Sequence, residues 1–204
     1  MRVFATVLVL ATLAACATSR PTTPRQYLDE ETAATVTVVA DPWIFFSKDE
    51  REEQPLPTVM DDRATRPAIA DRMDFAAQRR DLVSLYAIDV NRMGDHRQYL
   101  AVQQTLAREV KSPAAIELQF GDQSLVLQPV AQAPRALGIA RPPADANARG
   151  SQWNYYAIDK DTLATIARSH ALQASLLVDG DRVAFEIWRD GSAELSELSA
   201  TLGQ

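Results

Sequence analysis

Few side chains in this sequence have the type and spacing that chemistry needs. The 204 residues hold two histidines and one cysteine. His96 follows Asp95 at or just after a turn, and an Asp-His pair is able to orient an imidazole for proton transfer. No Gly-x-Ser-x-Gly nucleophile elbow accompanies it, so the expectation is a surface residue of the turn. His170 falls on the apolar stripe of a helical pattern, where a partly buried helix-end residue accounts for it. A zinc site needs three or four ligands and no His-Glu-x-x-His spacing occurs, so no metal is expected. Asp159-Lys160-Asp161 and Asp179-Gly180-Asp181 alternate carboxylates, but neither continues to the glutamate of a calcium loop. Cap and turn chemistry explain both. Phosphate-loop and dinucleotide fingerprints are absent, and no cofactor is expected. Trp153, Tyr155 and Tyr156 are candidates for a ligand-binding groove, because rings on one strand face stack on sugars or side chains. Along a strand Trp153 and Tyr155 share a face and Tyr156 takes the other, so at least one face belongs to the core.

Cys16 is the remaining candidate, and its surroundings are the most specific in the chain. Arg2 supplies a positive charge, Val3 to Leu13 an apolar core, and Ala14-Ala15 two small residues. The core has the length of a secretory signal, about 7–15 residues, and falls short of the roughly 20 of a spanning helix. Leu13-Ala14-Ala15-Cys16 resembles the lipobox of bacterial lipoproteins, over residues 1 to 17. The resemblance implies that residues 1–15 are a cleaved signal peptide and that the Cys16 thiol carries a diacylglycerol. It also implies that the freed amine is acylated. Two or more chains anchor stably where one binds marginally, at about 0.8 kcal/mol per buried CH₂. Ala17 stands where an Asp would imply inner-membrane retention in a two-membrane bacterium. The implied place is therefore the outer membrane, with the domain facing the periplasm. Tyr27 to Val38 is similar to the start of uncharacterised envelope lipoproteins, which implies location and no chemistry.

With Cys16 used by lipid, no thiol remains for a disulfide, a cysteine metal site or a redox centre. The apolar share of 47% is that of a globular chain. The net charge is −6, and only Lys48, Lys111 and Lys160 are lysines. Nucleic-acid binding, which needs a basic footprint, is not expected.

The elements follow from pattern. Residues 16–26 read as the lipidated cysteine and a small, polar tether with two prolines. Residues 27–204 read as a single β-rich domain. Tyr27 to Thr32 suits a turn, and Thr35 to Val39 a β-branched strand. Asp41-Pro42 interrupts that strand, since proline lacks a ladder N–H, and Trp43 to Phe46 continue it. Residues 47–81 form a long irregular loop, with a charge run at Lys48 to Glu53 and a short helical pattern at Ile69, Met73, Ala76 and Ala77. Hairpins follow: Leu82 to Val90 with Gln98 to Ala107, then Ala115 to Phe120 with Ser124 to Val130. Leu82 to Val90 is apolar on both faces, which marks a central strand. Residues 131–151 form a second long irregular loop, either mobile or a surface lid. Gln152 to Ile158 is a strand, and Asp159 caps a helix carrying Leu163, Ile166 and Ala167. Leu172 to Val178 and Arg182 to Trp188 make a hairpin around Asp179-Gly180. Ser192 reads as the cap of a last short helix that carries Leu195, Leu198 and Leu202 and ends at Gly203.

The sum is a mainly β domain of about eight strands, an antiparallel β-sandwich or open barrel with two or three short helices. The alternative is an α+β layer. Function is read as that of a non-catalytic interaction or structural module, held to the membrane through Cys16 and contacting an envelope protein or the cell wall. The alternatives are a small-ligand carrier, or a hydrolase with an unrecognised site.

Overall fold

The computed structural model describes residues 23–47, 81–106, 114–144, 151–169, 171–178 and 180–202. Cys16, His170, Asp179, the charge run after Ser47 and the helical pattern at residues 69–77 lie outside them. Within them the chain is mainly β. The strands are β1 (Arg25–Asp29), β2 (Ala34–Val38), β3 (Trp43–Ser47), β4 (Leu82–Arg92), β5 (Asp95–Thr105), β6 (Ala115–Phe120), β7 (Gln123–Leu127), β8 (Gln152–Ile158), β9 (Leu172–Val178) and β10 (Asp181–Arg189). Three helices accompany them: α1 (Pro134–Leu137), α2 (Lys160–Arg168) and α3 (Ser192–Thr201).

All ten strands belong to one antiparallel sheet organised on β4. One edge of β4 pairs with β5 from Leu82↔Thr105 to Arg92↔Asp95. The other edge is shared. β2 takes the end around Val90, with Val36↔Val90, and β3 takes the end around Leu85, with Trp43↔Leu85. The break between them falls at Asp41-Pro42, where the missing proline N–H interrupts a ladder. The sheet forks at this point: β2 passes on to β1, whereas β3 passes on to β10, β9, β6 and β7. The long branch curls into a half-barrel and brings the chain after β7 back to β8. There Pro129 bridges Tyr156, and the Val130 N–H donates to the Tyr155 carbonyl at 2.7 Å. The architecture is thus of the open-barrel kind, with ten strands where the pattern suggests about eight.

Alternation along β4 feeds two cores. Val83, Leu85 and Ala87 enter the larger one, inside the curl, with Phe45, Leu100, Val102, Ile116, Leu118, Tyr156 and Leu176. Helices α2 and α3 cover it through Leu163, Ile166, Leu195 and Leu198. Tyr86, Ile88 and Val90 enter a smaller core on the other face, with Val36, Tyr99 and Tyr155. A strap, residues 129–144, lies over this second core and contributes Leu137 and Ile139. The described part of the expected 131–151 loop is therefore a covering element with buried side chains.

Two expectations are corrected at the start of the domain. Tyr27 to Asp29 are strand and not turn, and Arg25 and Gln26 are strand and not tether: Arg25 pairs with Val38 and Tyr27 with Val36. Burial of Asp29 at the strand end moves the turn to Glu30–Ala33. Its carboxylate accepts the N–H groups of Glu31 and Thr32, at 3.1 and 3.2 Å, the geometry of an Asx turn. A third correction concerns α3. Its N-cap is Gly191, not Ser192, and Asp190 Oδ1 accepts the Ser192 N–H at 2.9 Å. Glycine is demanded there, because a Cβ on Gly191 would sit 2.5 Å from the Asp41 carbonyl oxygen. Asp159 caps α2 as expected, accepting the Thr162 N–H at 2.8 Å.

Candidate functional site

The β4–β5 hairpin turns through Met93 and Gly94, both at positive φ (54° and 92°), the signature of a two-residue type I′ turn. Register then fixes which side chains meet. Asp89 lies opposite Gln98 and Asn91 opposite His96. All four point to the face of the larger core, at the hairpin end where apolar packing gives way to solvent. His96 Nδ1 is 2.9 Å from Asp89 Oδ2, and Gln98 Nε2 donates to Asp89 Oδ1 at 2.8 Å. Asp89 is 3% exposed, whereas the His96 side chain is 47% exposed. The carboxylate beside His96 in sequence is not its partner. Adjacent strand residues point to opposite faces, and Asp95 instead binds Arg97 at 3.0 Å.

A cleft lies at the free edge of β5 beside this hairpin end. β8 ends at Ile158, opposite Gln98, and the chain turns away into α2. β5 runs on for three more residues, so a step forms beside its edge. The strap supplies the facing wall. The cleft measures about 610 Å³, is open to solvent, and is lined by His96, Arg97, Gln98 and Tyr99 from β5, Ala157 and Ile158 from β8, and Val130, Ala131, Gln132 and Leu137 from the strap. Its size falls in the range of small-molecule sites, about 300–1,000 Å³. Among the described residues, no three His, Cys, Asp or Glu side chains gather as a metal site.

The aromatic candidates sit in two different places. Tyr156 is fully buried in the larger core, where its hydroxyl donates to the Ala114 carbonyl and accepts from Gln104 Nε2. Tyr155 is buried in the second core, where burial pushes its phenol up to about 12 and Tyr27 adds to the shift. Trp153 is half-buried at the margin of that core. Its ring packs on Tyr86 at a centroid distance of 5.5 Å, and its Nε1 is buried without a partner. Trp153 and Tyr155 share one face and Tyr156 takes the other, as alternation requires. None of the three lines the cleft.

Asp89 is the residue that pattern reading passes over. It is hidden inside a strand apolar on both faces. The signal available was the interval of seven residues between Asp89 and His96 around a two-residue turn, which makes them diagonal neighbours across the hairpin. Comparison of the chain with protein-family models, curated proteins and solved structures finds no match.

Proposed function

We propose that this chain is a lipid-anchored envelope protein whose β-domain works by binding and not by catalysis. The observation that carries the reading is Leu13-Ala14-Ala15-Cys16 after a short apolar core. The start of β1 at Arg25 is consistent with it. Residues 17–24 would be the tether, reaching about 26–29 Å when extended. A domain so tied works close to the bilayer, facing the periplasm of a two-membrane cell.

Cys16→Ser tests the anchor. The variant is expected to leave the membrane fraction and to lose label from a radioactive fatty acid. Membrane fractionation unchanged by the substitution would remove the reading. Crosslinking in the intact envelope, with identification of what is captured, tests the binding half.

A second reading, the small-ligand carrier, is favoured by the cleft beside β5. The hydrolase alternative draws less support from it, since no serine, threonine or cysteine is among the described residues that line the cleft.

A further inference from the structure

Main-chain groups along β5 point alternately to its two edges. The two-residue turn at Met93-Gly94 makes Arg92↔Asp95 the first hydrogen-bonded pair of the hairpin. Asp95, Arg97 and Tyr99 therefore direct N–H and C=O to β4, whereas His96 and Gln98 direct theirs to the opposite edge. The next ladder agrees. The Val130 N–H donates to the Tyr155 carbonyl, so Tyr155 faces outward from β8. By alternation Ile158 then faces β5, opposite Gln98. Gln98 is thus paired with β8, and His96 is not. The residue that would continue the ladder opposite His96 is Lys160, which is already the first of α2. Among the described residues no backbone group pairs with the His96 N–H or C=O. The His96 ring lies elsewhere, drawn over β4 to Asp89 at 2.9 Å on the face of the larger core. What His96 brings to the lining of the cleft is therefore main chain.

We infer that the cleft takes an extended segment of a partner protein, added to β5 as a short antiparallel strand in the line of β8. The His96 N–H and C=O exchange hydrogen bonds with one residue of that segment. The inference rests on the reading of this chain as a binding domain and assigns its contact. An open strand edge is a template for another strand, and proteins ordinarily cover it or guard it with charge. Here the strap stands off and leaves about 610 Å³ in front of the edge. The charges beside it are matched, Arg97 to Asp95 at 3.0 Å. A donor and an acceptor on one residue, both lying in the plane of the sheet, are the complement of a peptide main chain. The open stretch, Asp95 to Arg97, spans about 10 Å at the rise of a strand, so the segment is short. Its residues on either side of the paired one fall opposite Asp95 and Arg97, on the face of the second core. Tyr99, Val130 and Leu137 line the cleft there. Valine suits both places, being apolar and β-branched.

The test is a titration of the purified full chain with acetyl-Val-Ala-Val-amide, followed by the backbone amide signals in ¹H–¹⁵N spectra. Two analogues accompany it, one N-methylated at the alanine and one at the C-terminal valine. The expected result is a saturable shift of the His96 amide signal. Binding should weaken at least about fivefold on methylation of the alanine, the worth of one hydrogen bond. Methylation of the valine, whose nitrogen faces away from β5, should cost less. His96→Pro removes the edge N–H where β4 does not use it, a place that tolerates proline. His96→Ala keeps that N–H and controls for loss of the ring. The proline variant should bind at least about fivefold more weakly than the alanine variant. Equal affinity of the chain for all three peptides overturns main-chain pairing, and so does equal binding by the two variants. Shifts confined to Arg25–Asp29 or Gln123–Leu127, the strands at the ends of the sheet, overturn the site. Self-association that shifts the His96 amide before peptide is added makes the occupant a second copy and overturns the choice of partner. Absence of saturable binding by all three peptides overturns the inference and leaves the binding reading to its crosslinking test.

Discussion

A buried carboxylate acquires its role from what it accepts. Asp29 shows the structural case. Burial alone would raise its pKa, but the N–H groups of Ala140, Thr32 and Glu31 outweigh that and hold it below the ordinary value of 3.8. A group whose folded-state pKa is depressed stabilises the fold above its unfolded value. That stabilisation is lost as pH falls through the depressed value. Asp29→Asn is therefore expected to lower Tm at neutral pH and to flatten the loss of Tm below pH 3.8. Thermal melts at pH 7 and across the acid limb check this, and an unchanged acid limb would show that Asp29 does not carry it. The ring at His96 has no such duty to the backbone, so its replacement should be cheap in stability.

The joint between the β2–β3 break and α3 shows how much a single element boundary holds. Asp41 carries an ion pair with Arg189, and its N–H is accepted by Glu194. Trp43 Nε1 donates to Asp190 Oδ1 at 3.2 Å. Gly191 sits against the backbone of Asp41, Pro42 and Trp43. Gly191→Ala places a methyl where backbone cannot yield, and a loss of about 1–3 kcal/mol is expected, measurable by denaturant titration. A cost below about 0.5 kcal/mol, the range of ordinary surface changes, would mean that α3 moves off freely. None of this was legible from sequence, where Ser192 looked like the better cap. Serine is the stronger capper by propensity, but the close approach of three backbone groups decides for glycine. What was legible is what depends on local pattern: the two-faced apolar run of β4, the alternation in β6, the Asp159 cap with Leu163, Ile166 and Ala167 behind it. The two parts that pattern missed depend on partners distant in sequence. Strand character at Arg25 to Asp29 has a polar, unremarkable sequence and arises from pairing with β2. The cleft arises from β8 stopping before β5 does, which no single segment records.

At the scale of the whole molecule, two cores on opposite faces of β4 make the phenols a probe of integrity. Tyr86 and Tyr155 are both buried in the second core. Burial is the main cause that pushes each up to about 12, from an ordinary 10.0. A raised folded-state pKa contributes stability that is complete below the unfolded value and is lost as pH rises through the folded one. Alkaline destabilisation is thus expected between pH 10 and about 12, with loss of the strap and second core. Tyr86→Phe and Tyr155→Phe should each flatten that limb, as followed by phenolate absorbance together with circular dichroism. If phenolate forms near pH 10 without loss of structure, the second core is open to solvent.

The fork in the sheet has a mechanical consequence. Strand β1 stands on the short prong, paired with β2 through five residue pairs and outside the curl that runs from β3 to β7. Tension applied to the chain ahead of Arg25 enters through those five pairs and not through the barrel ladders. The same prong also grips the strap, through Arg25 to the Pro143 carbonyl at 3.1 Å and Asp29 to the Ala140 N–H at 2.7 Å. A pull from the N-terminal side is therefore delivered to the wall of the cleft before it reaches the larger core. The N-terminal strand and the strap are joined by a lever one strand long.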